Sequence, residues 1–245
     1  MHCQPERKPK VYIWLKNKQR CLICDETTDS PMAVCSLCEL ELPWLLEQCD
    51  VCALPLPMSG LVCGQCQKSP RAFKQVVAPW SYSFPVDSLI SRFKHQGQWP
   101  LGHLLANLLG QYLQDRFENT PLTRPDCLLP VPMAGKRLRQ RGYNQAVMLA
   151  RWLGKDLNAP VNEHLLLRPQ ETVAQQELDA RTRQRNLLNA FALAADTQVE
   201  GRHLALVDDV LTTGATAHSL ARLLMHAGAR QVDVYCLART PKPGA

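Results

Sequence analysis

Leu204-Ala205-Leu206-Val207-Asp208-Asp209-Val210-Leu211-Thr212-Thr213-Gly214-Ala215-Thr216 contains the decisive pattern of this 245-residue chain. Its first four residues are a continuous apolar run, which predicts a strand buried on both faces. Two carboxylates leave the tip of that strand. A threonine-rich turn follows and opens a helix over Ala215 to Ala227, with Leu220, Leu223 and Leu224 turned inward and Gly228 as its stop; Val232 to Leu237 is then another strand. Adjacent carboxylates accept hydrogen bonds from vicinal hydroxyls. The free N–H groups and hydroxyls of Thr212, Thr213, Gly214, Ala215 and Thr216, aided by the helix dipole, form a cradle for a phosphate, and Gly214 lets the backbone come close. Sugar hydroxyls at one end and a phosphate at the other match a 5-phosphoribosyl group. The plainer alternative makes Asp208 and Asp209 helix caps and Thr212 and Thr213 turn residues, but a turn needs only one or two of these.

The flanking sequence supports an α/β fold. Ala72 to Tyr82 reads as extended, up to Pro85. Val86 to Phe93 and Leu101 to Tyr112 carry apolar residues at helical spacing, and Asp126 to Val131 is a short apolar run between Pro125 and Pro132, which fits a buried strand. Asn144 to Leu153 is helical, Leu165 to Leu167 is a short strand, and Glu177 to Leu188 is a polar helix or mobile segment. Strands alternating with helices imply a parallel sheet with crossovers, and ligands in such sheets sit beyond the carboxyl ends of the strands.

Composition is that of a soluble protein, 46% apolar and 20% charged, without an apolar run of the roughly 18 residues that a membrane span needs. The only apolar stretch near the N-terminus, Val11 to Leu15, is too short for a signal peptide, so a cytoplasmic location is expected. The formal charge of +6 is modest, but its distribution is uneven. Between Asp126 and Asp156 there is no acidic side chain, while Lys136, Arg137, Arg139, Arg141, Arg151 and Lys155 all fall there. Such an island attracts an anion, or forms a solvated basic face.

Eight of the eleven cysteines form four C-x-x-C pairs: Cys21 with Cys24, Cys35 with Cys38, Cys49 with Cys52 and Cys63 with Cys66. Two pairs complete one tetrahedral zinc site. Each cysteine of the second half lies 28 residues after its counterpart, so the segment reads as a duplicated unit, a double zinc ribbon holding one or two structural ions. Duplication favours two sequential sites, but a cross-braced arrangement or a single metal uses the same spacing. Disulfides do not suit a reducing compartment, and redox pairs would need a thioredoxin-like context. The ribbon carries many acids and few bases, so metal replacing a hydrophobic core is a better reading of it than nucleic-acid docking. Cys127 and Cys236 lie in strand-like runs and read as packed thiols.

The thirteen-residue string resembles the 5-phosphoribosyl pyrophosphate (PRPP) signature of type I phosphoribosyltransferases. Leu128-Leu129-Pro130-Val131-Pro132, the basic segment, Arg141-Gly142-Tyr143-Asn144-Gln145, and the stretch from Thr172 through Gln175, Leu178, Arg183 and Asn186 to Phe191 narrow this to a resemblance to the ComF/GntX family. That resemblance implies a basic tail over 1–18, a double zinc ribbon over 19–70, a linker and hinge over 71–100, a type I phosphoribosyltransferase-like domain over 101–240 and a short tail over 241–245. It implies a pyrophosphate-binding loop with Lys136, Arg137, Arg139 and Arg141, a hood loop with Gln175, Arg181 and Arg183, and a magnesium ion bound with PRPP. Ala134 and Gly135 depart from the more basic run common at that place.

Three functions follow from the family resemblance. One is a magnesium-dependent phosphoribosyltransferase. A second is a PRPP-responsive or single-stranded-DNA-binding adaptor in DNA uptake and the use of external DNA as a nutrient, alongside DNA-processing partners, with Lys94, Arg137, Arg139, Arg141 and Arg183 on the DNA backbone. The third is a role in gluconate metabolism, for which no residue here speaks. No acceptor nucleophile and no general base is legible: the histidines are scattered and read as structural.

Overall fold

The computed structural model describes residues 19–169, 190–195 and 197–242. The chain divides after Leu40 into two compact units. In the first, β1 (Gln19–Arg20) pairs antiparallel with β2 (Thr27–Thr28) and is followed by the short helix α1 (Ser36–Leu40). Among the described residues of this unit the buried apolar ones are Cys21, Val34 and Cys38, too few to form a core by themselves.

The second unit begins with the other cysteine tetrad and the helix α2 (Gly64–Lys68), then gives β3 (Val76–Val77), β4 (Trp80–Ser81), α3 (Val86–Gln96) and the long helix α4 (Trp99–Asn119). After these come β5 (Cys127–Pro130), α5 (Gly135–Arg141), α6 (Gln145–Asp156), β6 (Leu166–Leu167), β7 (Ala192–Leu193), β8 (His203–Leu211), α7 (Ala215–His226) and β9 (Gln231–Arg239). The main sheet is parallel in the order β3-β9-β8-β5, with β4 also on β9; β6 and β7 form a separate antiparallel pair. The expected α/β class with its parallel sheet is therefore the observed one.

β8 lies in the interior of the sheet, with Leu204 opposite both Cys127 of β5 and Val232 of β9. Leu204, Ala205, Leu206 and Val207 are fully buried, and each larger side chain among them contributes on the order of 2 kcal/mol by leaving water. The strand runs further than its apolar core and includes Asp208 and Asp209. Asn144 caps α6, its side chain accepting from the Ala146 amide at 3.0 Å while its amide nitrogen donates to the Val131 carbonyl. His203 is structural, as expected: it is buried and its Nε2 lies 3.0 Å from the Asp233 carboxylate.

Within residues 71–100 the extended run Ala72 to Tyr82 and the helix from Val86 are present as β3, β4 and α3, with Val76, Val77 and Trp80 buried against β9. One stretch differs from expectation. The basic segment read as a loop is the seven-residue helix α5, which buries none of its side chains and ends at Gly142 with a left-handed φ of 83°. The segment with Gln175, Arg181 and Arg183 lies outside the described residues.

α6 packs closely enough that a Cβ at Gly154 would lie 2.4 Å from Val161 Cγ2 and 2.9 Å from the Ala159 carbonyl oxygen. A backbone oxygen cannot turn aside as a side chain can. Gly154→Ala is expected to destabilise the protein by about 1–3 kcal/mol in a urea titration, and an unchanged midpoint would contradict this packing.

Candidate functional site

The carboxyl ends of β5 and β8 open onto a cleft of about 220 Å³. Asp208, Asp209 and Thr216 line it on one side, and Lys94, Arg137, Arg141 and Arg168 bring four cations to it from α3, α5 and the segment after β6. The two aspartates have different surroundings. Asp209 is buried, with Lys94 Nζ 3.0 Å from its Oδ2 and the Val210 amide donating to its Oδ1 at 2.7 Å. Asp208 is less covered and accepts the Asp209 amide at 2.9 Å. Burial and the neighbouring Asp209 charge push its carboxyl up to about 7, against the opposing pull of the Asp209 amide and Lys94.

Thr212 and Thr213 are exposed, and the Ala215 amide donates to Thr213 Oγ1 at 3.3 Å. Gly214 is the residue before α7 and has a φ of 71°. The nearest neighbours of a Cβ placed there would be at 3.9 Å, an ordinary contact, so within the fold glycine is required by backbone conformation rather than by crowding. With the Ala215 amide on Thr213 Oγ1 and that of His218 on the Gly214 carbonyl, the amides of Thr216 and Ala217 are those at the start of α7 without an acceptor one turn back.

Of the expected basic ligands, Arg137 and Arg141 line the cleft, while Lys136 and Arg139 are exposed on α5 outside that lining. Arg141 is held by Gln145, donating to its Oε1 at 2.6 Å. Tyr143 fixes the adjoining turn to α3 by donating to the Phe93 carbonyl, one residue before Lys94. The sequence reading did not find Arg168, and it assigned Lys94 only to a DNA backbone. Arg168 lies 5.3 Å over the Phe191 ring, and burial and the nearby Arg137 charge lower its pKa. Two guanidiniums close enough to disturb one another, in a partly buried cleft, make a place where an anion relieves repulsion. Chemically the cleft offers carboxylate acceptors for hydroxyls, and cations and helix-start amides for phosphate oxygens.

The eight paired cysteines separate into two tetrads in sequence order. Within each of Cys21, Cys24, Cys35, Cys38 and Cys49, Cys52, Cys63, Cys66, the sulfurs lie within 4.8 Å of one another, which rules out the cross-braced arrangement. The Cys24–Cys35 and Cys52–Cys63 sulfur separations are both 3.7 Å, close to the edge of roughly 3.8 Å of a tetrahedron with Zn–S bonds of about 2.3 Å. Amides point at sulfur, with Cys63 N 3.2 Å from Cys49 Sγ and Ile23 N 3.4 Å from Cys21 Sγ, as thiolates require. At Cys21, burial raises the pKa but hydrogen bonds from the backbone at Cys24, Cys35 and Ile23 outweigh it and bring the thiol down to about 6. The second tetrad is wholly buried, whereas Cys24 of the first is exposed. Cys127 and Cys236 are buried in β5 and β9, as packed thiols.

A family model described as a double zinc ribbon domain matches residues 18–67. The chain is 35% identical over 220 residues to the DNA utilization protein YhgH of Escherichia coli, covering 90% of each. It is 37% identical over 178 residues to competence protein F of Haemophilus influenzae, covering 72% of this chain and 78% of that one. Among solved structures it is similar to a purine phosphoribosyltransferase from Pyrococcus horikoshii, at 13% identity and a TM-score of 0.34, over 55% of this chain and 80% of that one.

Metal analysis of the full chain should find two zinc ions, one per tetrad. A single ion, or a metal-free folded protein, would contradict the assignment of both centres.

Proposed function

The chain belongs to the ComF/GntX family, with competence protein F and the DNA utilization proteins as relatives, and we propose that its cleft binds PRPP in the service of using imported DNA. The observation that carries this reading is the meeting of Asp208, Asp209 and Thr216 with Lys94, Arg137, Arg141 and Arg168 in one small cleft. Asp208 accepts the ribose hydroxyls, while Asp209 holds Lys94 in the cleft. The loop from Thr212 to Thr216 takes the 5-phosphate, and Arg137, Arg141 and Arg168 take the pyrophosphate. The magnesium that accompanies PRPP is held mainly by ligand oxygens and water, with Asp208 or Asp209 at most in its outer shell. The segment with Gln175, Arg181 and Arg183 serves as the hood. We assign the work to the cytoplasm, where thiolate zinc centres persist; no helix among the described residues is long and apolar enough to cross a membrane.

Calorimetric titration with PRPP and magnesium tests the reading. Asp208→Ala and Asp209→Ala should each weaken binding by about tenfold or more, the order of one lost charge-assisted hydrogen bond, and a wild-type protein without PRPP affinity would refute it. Because Asp208 titrates at about 7, affinity should rise as pH increases through that value and fall below it, as the carboxyl takes up a proton and becomes a poorer acceptor. Asp208→Asn should remove that part of the pH dependence; a profile identical to the wild type would assign it elsewhere. Pyrophosphate release on adding a base or amine separates a transferase from a ligand-responsive adaptor.

A second proposed activity is contact with single-stranded DNA: the relatives are named for DNA utilization and competence, and Lys136 and Arg139 lie exposed on α5. A gel shift should weaken steeply between low and moderate salt and be reduced in Lys136→Ala/Arg139→Ala. A salt-insensitive or absent shift removes phosphate contact from the reading. The gluconate alternative draws no support from these relatives.

A further inference from the structure

Arg239, at the end of β9, is 5% exposed although it carries a permanent charge. Burying a guanidinium is costly unless its donors are satisfied and a countercharge is near. Its donors go to main-chain oxygens in three places. Nε donates to the Cys52 carbonyl at 2.9 Å, Nη1 to the carbonyls of Leu211 at 3.2 Å and Thr212 at 2.5 Å, and Nη1 again to the Thr240 carbonyl at 2.6 Å. One planar fork thus joins a zinc-ligand residue to the first residues of the Thr212 to Thr216 loop. With zinc bound, four thiolates around the dication would leave a net dianion, and the second tetrad, buried at all four cysteines and joined to Arg239 through the Cys52 carbonyl, would then supply a countercharge for it.

Other contacts tie the same two places. The Val76 amide donates to the Val51 carbonyl at 2.9 Å, the Ala72 amide donates to His218 Nδ1 in the first turn of α7 at 3.1 Å, and Phe73 reaches to within 3.9 Å of where a Gly214 Cβ would stand. The second tetrad, Phe73, Leu211 and Ala217 belong to one continuous buried cluster. The phosphate loop therefore rests on the second metal centre rather than on the sheet alone.

We propose that Arg239 is a positioning residue that couples the second zinc centre to the Thr212 to Thr216 loop, so that metal retention there and ligand binding at the loop support one another. Such coupling is reciprocal by thermodynamic necessity: a ligand that orders the loop must tighten the metal. The ligand-dependent part rests on the PRPP reading above. The metal-dependent part stands without it.

The test uses the full chain and follows zinc release to a chromogenic chelator. In the wild type, two phases are expected, the slower one from the buried second tetrad, and saturating PRPP with magnesium should slow that phase and leave the first unchanged. Arg239→Met should speed the slow phase by roughly tenfold, weaken PRPP binding by a similar factor and abolish the effect of PRPP on release, in line with the loss of charge-assisted bonds. Arg239→Lys, which keeps the charge but lacks the fork, should recover part of the zinc retention and little of the PRPP affinity. It also serves as the deciding variant if Arg239→Met does not fold. Arg151→Met, which removes an exposed ion pair with Glu163, should change neither readout. Unchanged zinc release in a folded Arg239 variant would overturn the countercharge role. A wild type that binds PRPP without any change in its slow phase would overturn the coupling. If the wild type does not bind PRPP, the failure belongs to the proposed function, and acceleration of zinc release in the variants still decides the metal half.

Discussion

The parallel pairing of β8 with β9 on one side and β5 on the other is the constraint from which the site follows. Leu204, Leu206 and Val207 are so apolar that the strand is stable only with sheet on both edges and helices over both faces. Burial leaves the tip of the strand as the place where polar groups can emerge, and there Asp208 and Asp209 appear. The turn that follows must reverse direction at once for α7 to lie back along the sheet, and Gly214 supplies the left-handed residue that this requires. Carboxylates, threonines and helix-start amides are thus brought together by the packing of residues that never touch a ligand.

The cleft gathers charges of both signs. Lys94 neutralises Asp209, but Arg137, Arg141 and Arg168 gather in the same place. The protein holds them there by local devices: Gln145 on Arg141, the Phe191 ring beneath Arg168, and the Tyr143 contact that fixes the turn against α3.

Local patterns made much of this legible. The four C-x-x-C pairs marked all eight metal ligands because ligand spacing is set by tight turns within the sequence, and the Leu204 to Thr216 string marked strand, loop and helix because each is coded by adjacent residues. What could not be read depends on meetings between distant segments. The ribbon spacing is the same for sequential and crossed pairing. The extended run Ala72 to Tyr82 was legible, but β3 and β4 are two residues each and their pairing with β9, about 150 residues later, was not. Lys94 enters the cleft because α3 packs where it does, and Arg168 follows a two-residue strand whose partner lies about 25 residues later. The basic segment lacked the apolar stripe that marks a helix, because α5 buries nothing.

The strand order also bears on how the chain comes to be folded. β9, the last strand of the sheet in chain order, lies between β3 and β8 rather than at a margin. While the polypeptide is being made, β3 and β8 have no common neighbour, and each presents an unpaired edge until β9 leaves the ribosome and inserts between them. Open parallel edges invite association with other chains, and sequence-distant pairing is slow. The nascent protein therefore passes through a stage of high aggregation risk, which ends only when its final strand is in place.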